Sequence, residues 1–258
     1  LDAAKKEVTV KDVQTGNTEV CPYDKLVIAV GASASKLPVE GAELPGVFTM
    51  RTPDDAEAIR TYADENGVKK AVVIGAGFIG LEAAENLKAK GISVTVIDFA
   101  PQILPNILDP EMAAYAKKHL LNEGVRVITG TSAEKILGAD KVSGVKTSAG
   151  TLACEMLIMA AGIRPNTEFL NDSGIEMFKG TILVDNQMKT SLEDVYAAGD
   201  CVMVTNRITG KRQWSPMGSS ANMEGRTLAQ ILAGAQKSYP GVLGTGIVKL
   251  PGLNVGRT

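Results

Sequence analysis

Val72, Val73 and Ile74 form a short apolar, β-branched run that passes into Gly-Ala-Gly-Phe-Ile-Gly at 75–80 and then into a stretch of helical periodicity. A continuous apolar run of this length predicts a parallel strand buried on both faces, and the periodic stretch predicts a helix from about Phe78 to Lys90 with Gly91 as its C-cap. The apolar, alternating "SVTVID" that follows predicts a second strand ending at Asp98. Thr52-Pro53-Asp54-Asp55 has a capping hydroxyl, Pro at the first helical position and acids in the first turn, so a helix is expected through about Asn66. Asp109-Pro110-Glu111 starts another, through about Asn122, ended by Gly124. Strands alternating with helices imply an α/β fold with a doubly wound, Rossmann-like parallel sheet.

A second pattern recurs on either side of this core. "KEVTVKDVQTGNTEVCPYDKLVIAVGAS" reads as a small β-meander with a turn at Thr15-Gly16-Asn17, followed by an apolar strand ending in Ala-Val-Gly. "DKVSGVKTSAGTLACEMLIMAAGIRPN" repeats the plan, with a turn at Ala149-Gly150 and an apolar strand ending in Ala-Ala-Gly. The order is tail, head, tail, which predicts a further glycine-loop head before Leu1. The chain opens on Leu1 rather than Met and ends at "GLNVGRT" inside what reads as an element, so a piece of a longer protein is expected.

Gly75, Gly77 and Gly80 fall on the dinucleotide-binding spacing. Gly75 permits the tight turn, Gly77 lets the backbone approach a diphosphate, and Gly80 lets the helix pack closely on the strand. The helix start offers free N–H groups and about half a unit of positive charge to that diphosphate. Asp98 stands where a carboxylate takes the ribose hydroxyls of an adenosine and repels a 2'-phosphate, and neither Phe99 nor Ala100 supplies a compensating charge. NADH is therefore expected over NADPH.

Composition narrows the class. At 258 residues, two lobes are expected, and a formal net charge of -2 without a basic stretch argues against nucleic acid. No apolar run approaches a membrane span and no secretory signal opens the chain, so no membrane partner and a cytoplasmic location are expected. Cys21, Cys154 and Cys201 are odd in number and include no C-x-x-C pair, which disfavours disulfides and zinc; they read as small buried hydrophobes. His119 reads as a solvated surface residue.

Four blocks, "YDKLVIAVGAS", "VVIGAGFIGLEAAENL", "AAGIRPNTEFL" and "TSLEDVYAAGDC", together resemble the FAD-dependent pyridine nucleotide-disulfide oxidoreductases, especially the NADH oxidase, NADH peroxidase and CoA-disulfide reductase branch. The resemblance implies an NAD-binding domain with β-meander inserted in an incomplete FAD-binding domain of the same type. Residues 1–50 and 169–240 would form the FAD part, 51–168 the NAD(H) part, and 241–258 the start of a truncated dimerisation domain. It implies that Gly75, Gly77, Phe78, Ile79 and Gly80 hold NADH, with Phe78 covering the nicotinamide pocket and Asp98 on the ribose. Glu82 matches an acid that reaches the nicotinamide carboxamide, with a plain helix-surface role as its rival. Ala161 and Gly162 would line the nicotinamide side, Val30 and Gly31 would lie against FAD, and Gly199 and Asp200 would meet its ribityl and pyrophosphate region. "SPMGSSANMEGRTLAQILAG" resembles the helix whose start points at the flavin ring. Arg164 is either a ligand or an ionic brace, and Cys201 either structural or redox-active.

The implied activity is hydride transfer from NADH to FAD and on to a disulfide, a peroxide or oxygen, in a protein that is a homodimer when full length. The redox cysteine and the FAD adenosine loop of the family are absent from this chain, and Cys21 does not stand where the redox cysteine belongs. A catalytically inactive NAD(H)-binding fragment is the alternative, and a flavin-free dehydrogenase a third reading that "VYAAGDC" argues against.

Overall fold

In the computed structural model, which describes residues 1–258, the chain forms two compact units. One comprises residues 1–33 and 164–244, the other 34–163 and 245–258.

The second unit is built on a five-stranded sheet in the order Val47–Thr49, Met156–Met159, Lys70–Ile74, Ser93–Asp98, Arg126–Thr129. Every neighbouring pair runs parallel. The β-branched run at 72–74 is central in it, and both faces are covered. Val73, Val94, Val96, Val127 and Ile158 face helices α1 (Pro53–Glu65), α2 (Phe78–Ala89) and α3 (Pro110–Asn122). Val72, Ile74, Ile97, Leu157 and Met159 face a three-stranded antiparallel meander, Ala133–Gly138, Val142–Thr147 and Gly150–Ala153. The layers are therefore helix, parallel sheet and meander, and period-two alternation along each central strand assigns its side chains to one layer or the other.

The three helix starts and stops follow from their end residues. Thr52 caps α1 by accepting from Asp55 N (3.2 Å), and the Asp55 carboxylate accepts from Thr52 N (2.8 Å), a reciprocal capping box with Pro53 behind it. Gly91 and Gly124 take positive φ, +82° and +81°, as α2 and α3 end. The meander turn is shifted by one residue from the expected position. Thr147 pairs with Gly150, leaving Ser148 and Ala149 in the turn and Gly150 (φ +116°) at the strand start.

Residues 245–258, which the sequence assigns to the start of a further domain, form the antiparallel hairpin Gly246–Leu250/Leu253–Arg257 inside this unit. Alternation along it turns Val248, Leu250 and Val255 into the same core as α2 and α3. Lys249 pairs with Glu85 of α2 (3.1 Å), and His119 Nε2 of α3 meets the Pro251 carbonyl oxygen at 2.5 Å. His119 is thus half-buried beneath the hairpin rather than solvated, because the sequence of α3 does not reveal what packs over it.

The first unit carries the other glycine-bounded loops. Leu26–Ile28 pairs in parallel with Val195–Ala197, and Thr18–Pro22 closes a hairpin with Glu7–Lys11. A four-stranded sheet and helix α4 (Gly218–Leu232) complete it around Ile28, Ile182, Val195, Ala197, Cys201, Leu228 and Tyr239.

Candidate functional site

In the second unit, the strand Lys70–Ile74 delivers the chain into Gly75, whose φ of +111° only glycine adopts without strain. A Cβ there would lie 2.2 Å from the Ala160 carbonyl oxygen, and one at Gly80 would lie 1.9 Å from that of Gly75. At Gly77 a Cβ would meet nothing within 4 Å. Gly75 and Gly80 are therefore fixed by packing, while Gly77 faces open space at the N-cap of α2, which no side chain caps. The first-turn N–H groups are left for an anion.

This opening is one wall of a cavity of ≈ 480 Å³ lined by Ile74, Gly75, Gly77, Asp98, Phe99, Thr131, Ser132, Ala160, Ala161 and Gly162 among others. Asp98 sits at its edge with both carboxylate oxygens engaged. Oδ2 accepts from Ala76 N (2.6 Å) and Oδ1 from Ala100 N (2.7 Å), so the side chain ties the glycine loop to the loop after the second strand. Each oxygen retains a lone pair for a ribose hydroxyl. Phe99 is exposed and carries no charge toward the cavity. A separate cleft of ≈ 560 Å³ lies along residues 36–44, where the charged groups Lys36 and Glu43 pair with each other at 3.0 Å.

Phe78 and Ile79 open α2, half-buried. The Phe78 ring lies directly against the hairpin, since a Cβ on Gly246 would stand 2.7 Å from it. Glu82 is exposed on α2, and no hydrogen bond or ion pair positions its carboxylate. Ala161 and Gly162 (φ +105°) follow the strand Met156–Met159, with the Gly162 carbonyl accepting from Ser35 N (2.9 Å).

The first unit assembles the remaining candidates. Ala198 N donates to the Ile28 carbonyl (3.0 Å), which sets the loop holding Gly199 and Asp200 beside the one holding Val30 and Gly31. The buried Cys201 thiol approaches the carbonyls of Ile28 (3.8 Å) and Ala198 (3.5 Å) across the same junction. Burial raises its pKa, so the structure gives it the setting of an inert packing group. Gly31 (φ +66°) and Gly218 at the start of α4 both face open space. Arg164 pairs with Glu168 of the same unit at 3.1 Å.

Three residues outside the sequence-derived set shape these loops. Asn166 donates through Nδ2 to the Val30 carbonyl (3.0 Å), accepts at Oδ1 from Ser33 Oγ (2.7 Å), and gives its backbone N–H to the Gly31 carbonyl (3.0 Å). Glu224 of α4 is 1% exposed, and its Oε2 accepts from Gly199 N at 2.7 Å. Burial raises the Glu224 pKa to about 7, with the Asp200 charge adding to it. The buried Tyr239 side chain also acts on the Glu224 carboxyl. Asn166 alone had a sequence cue, its place directly after the second tail strand in "GIRPN". Among all residues no cluster of three or more His, Cys, Asp or Glu side chains fits a metal, and no helix is long and apolar enough to cross a membrane.

A glycine turn between a parallel strand and an uncapped helix start, with an acid at the end of the next strand, defines a dinucleotide-binding unit of Rossmann type. The pyridine nucleotide-disulphide oxidoreductase profile matches residues 1–224, and the chain belongs to that family. It is 41% identical to an NADH oxidase of Methanocaldococcus jannaschii, over 100% of this chain and 58% of the relative. It is 36% identical to a CoA-dependent NAD(P)H sulfur oxidoreductase of Pyrococcus furiosus, over 95% of this chain and 55% of the relative. Among solved structures, an NAD-dependent persulfide reductase from A. fulgidus superposes with a TM-score of 0.89 at 41% identity, covering 96% of this chain and 46% of that one. The chain thus spans little more than half the length of these curated relatives.

Proposed function

We propose that the whole protein is a flavin-dependent oxidoreductase that takes hydride from NADH, passes it to FAD, and delivers the electrons to a disulfide, peroxide or oxygen acceptor. The observation that carries the reading is the pairing of an open, uncapped α2 start at Gly77 with a second, separate set of glycine-bounded loops at Val30–Gly31 and Gly199–Asp200. A dehydrogenase without flavin has no use for the second set. The relatives point the same way: one is an NADH oxidase, and a water-forming NADH oxidase from Lactobacillus brevis, bound to NADH, superposes with a TM-score of 0.89 at 27% identity over 97% of this chain and 55% of that one.

Both cofactors fit the residues present. Gly75, Gly77, Phe78, Ile79 and Gly80 would seat the NADH diphosphate on backbone N–H groups, with Asp98 toward the adenosine ribose and Ala161 and Gly162 toward the nicotinamide. Val30, Gly31, Gly199 and Asp200, with the open start of α4, would hold the flavin half of FAD. FAD, when bound, supplies hydride acceptance and electron relay. The side chains in hand orient the cofactors and exclude water, and none of them acts as nucleophile or base in the hydride step. The full-length protein is expected to be a homodimer and to work in the cytoplasm.

The test is a visible absorption spectrum of the purified chain, followed by NADH under anaerobic conditions. A flavin band that bleaches supports the reading. A colourless protein that binds NADH favours the alternative, a catalytically inactive NAD(H)-binding fragment.

Asp98 gives a second test. NADH is expected to bind at least tenfold more tightly than NADPH, because a 2'-phosphate would approach a carboxylate with no cation nearby. Asp98→Asn cannot accept from both Ala76 N and Ala100 N, so NADH affinity falls by about 1–3 kcal/mol as the loop loosens. Equal titration of the two nucleotides by the unmodified chain would refute the ribose assignment.

A further inference from the structure

We propose that Glu224 is a positioning residue for the FAD diphosphate, holding the Gly199–Asp200 loop from below and taking up one proton from solvent as the cofactor binds. The inference rests on the FAD reading above.

Its basis is a junction of three elements. Glu224 projects from α4 into the core of the first unit, 1% exposed, and accepts from Gly199 N at 2.7 Å. That bond fixes the backbone at the residue before Asp200 and occupies an N–H that would otherwise point elsewhere. Tyr239, from the segment after α4 and itself buried, also acts on the carboxyl. The groups that act on the carboxyl are therefore Gly199 N–H and Asp200 from the loop and Tyr239 from the C-terminal segment; none is a cation. Cys201 also senses its charge, and Arg226, two residues along α4, is exposed.

The site satisfies Glu224 in both protonation states. As an anion it accepts from Gly199 N. As an acid it still accepts from Gly199 N through Oε2, with the proton on the other oxygen. No strain therefore opposes the gain of a proton. Burial has already lifted the group to about 7, between the fully ionised and fully neutral regimes at physiological pH. A diphosphate placed beside Asp200 adds two negative charges next to a buried acid without a cation. Of the acids present, the one least able to remain charged is the desolvated Glu224. The balance is one solvent proton consumed per FAD bound by a molecule whose Glu224 was ionised, with no bond to the cofactor made or broken.

The test is FAD binding followed by flavin fluorescence from pH 6 to 8.5, on the unmodified chain, Glu224→Gln and Glu224→Ala. A protonated-carboxyl infrared band is measured in parallel on the same proteins without cofactor and with it. In the unmodified chain the FAD dissociation constant is expected to rise with pH above neutrality, approaching tenfold per pH unit. The carboxyl band should persist to higher pH when FAD is present. Glu224→Gln keeps an oxygen for Gly199 N and should bind FAD with no such slope and no such band. Glu224→Ala, which loses the hold on Gly199, should bind more weakly at every pH, and rescue by Gln but not Ala identifies positioning. Equal slopes in the unmodified chain and Glu224→Gln, or no slope in either, would overturn the inference and leave the FAD reading standing. Absence of FAD binding by every protein at every pH would overturn the FAD site assigned to this chain's own residues, and the inference with it.

Discussion

Gly80→Ala is expected to cost several kcal/mol of stability and, with it, NADH binding, although alanine is the better helix former. In a helix interior the exchange ordinarily stabilises by about 1 kcal/mol. Here the added Cβ would stand 1.9 Å from the Gly75 carbonyl oxygen, a backbone atom, and 3.3 Å from the Ala160 Cβ. Either α2 lifts off the sheet or the glycine turn opens, and overpacking of this kind costs on the order of 1–3 kcal/mol or more. Gly77→Ala is the matching control. Its Cβ enters open space at an ordinary φ of -83°, so thermal unfolding should be unchanged while NADH affinity falls at least tenfold. Urea unfolding and nucleotide titration on both variants separate the roles, and a normally stable Gly80→Ala protein would contradict the packing argument.

Stability should also fall as pH rises from about 5 to 7, with Glu224 as the cause. Its folded pKa is raised from 4.5 to about 7, chiefly by burial. Below 4.5 the carboxyl is protonated in folded and unfolded chains alike, and its neutral form packs without penalty. Between the two values the unfolded chain ionises freely while the folded one holds its proton, so stability is lost progressively and the loss levels off above 7. At about 1.4 kcal/mol per pKa unit, the total is on the order of 3 kcal/mol. Glu224→Gln removes the titration, so the difference in unfolding free energy between the two proteins should change by that amount between pH 5 and pH 8. Parallel profiles would show that Glu224 ionises normally.

Where local physics determined the outcome, the amino-acid sequence was a sufficient guide. The run at 72–74 is buried on both faces, as its β-branched continuity requires, and Thr52 with Asp55 starts α1 through the expected box. The glycine loop could be read because three positions each meet a separate steric demand. What escaped was non-local. Glu224 sits in a helix of mixed polarity, and its hydrogen-bond partner is Gly199, 25 residues earlier. Nothing in "ANMEGRTL" marks that acid as buried. Alternation along Gly246–Leu250 signals one buried face but not its partner, which proved to be α2 and α3. The same gap misplaced His119, whose neighbour is Pro251. The roles of Asp98 illustrate a third limit: its position suggests a ribose, while its two backbone hydrogen bonds appear only once two loops are folded together.

The interleaving of the two units sets an order on biosynthesis. Residues 1–33 complete their unit only with 164–244, and the unit that holds the glycine loop lacks Val248, Leu250 and Val255 until residues 245–258 have been made. Neither unit can close vectorially as its first segment is made. Until the hairpin docks, the apolar faces of α2 and α3 wait uncovered, a window in which a nascent chain depends on holdase chaperones and a message truncated before Thr245 yields a sticky intermediate.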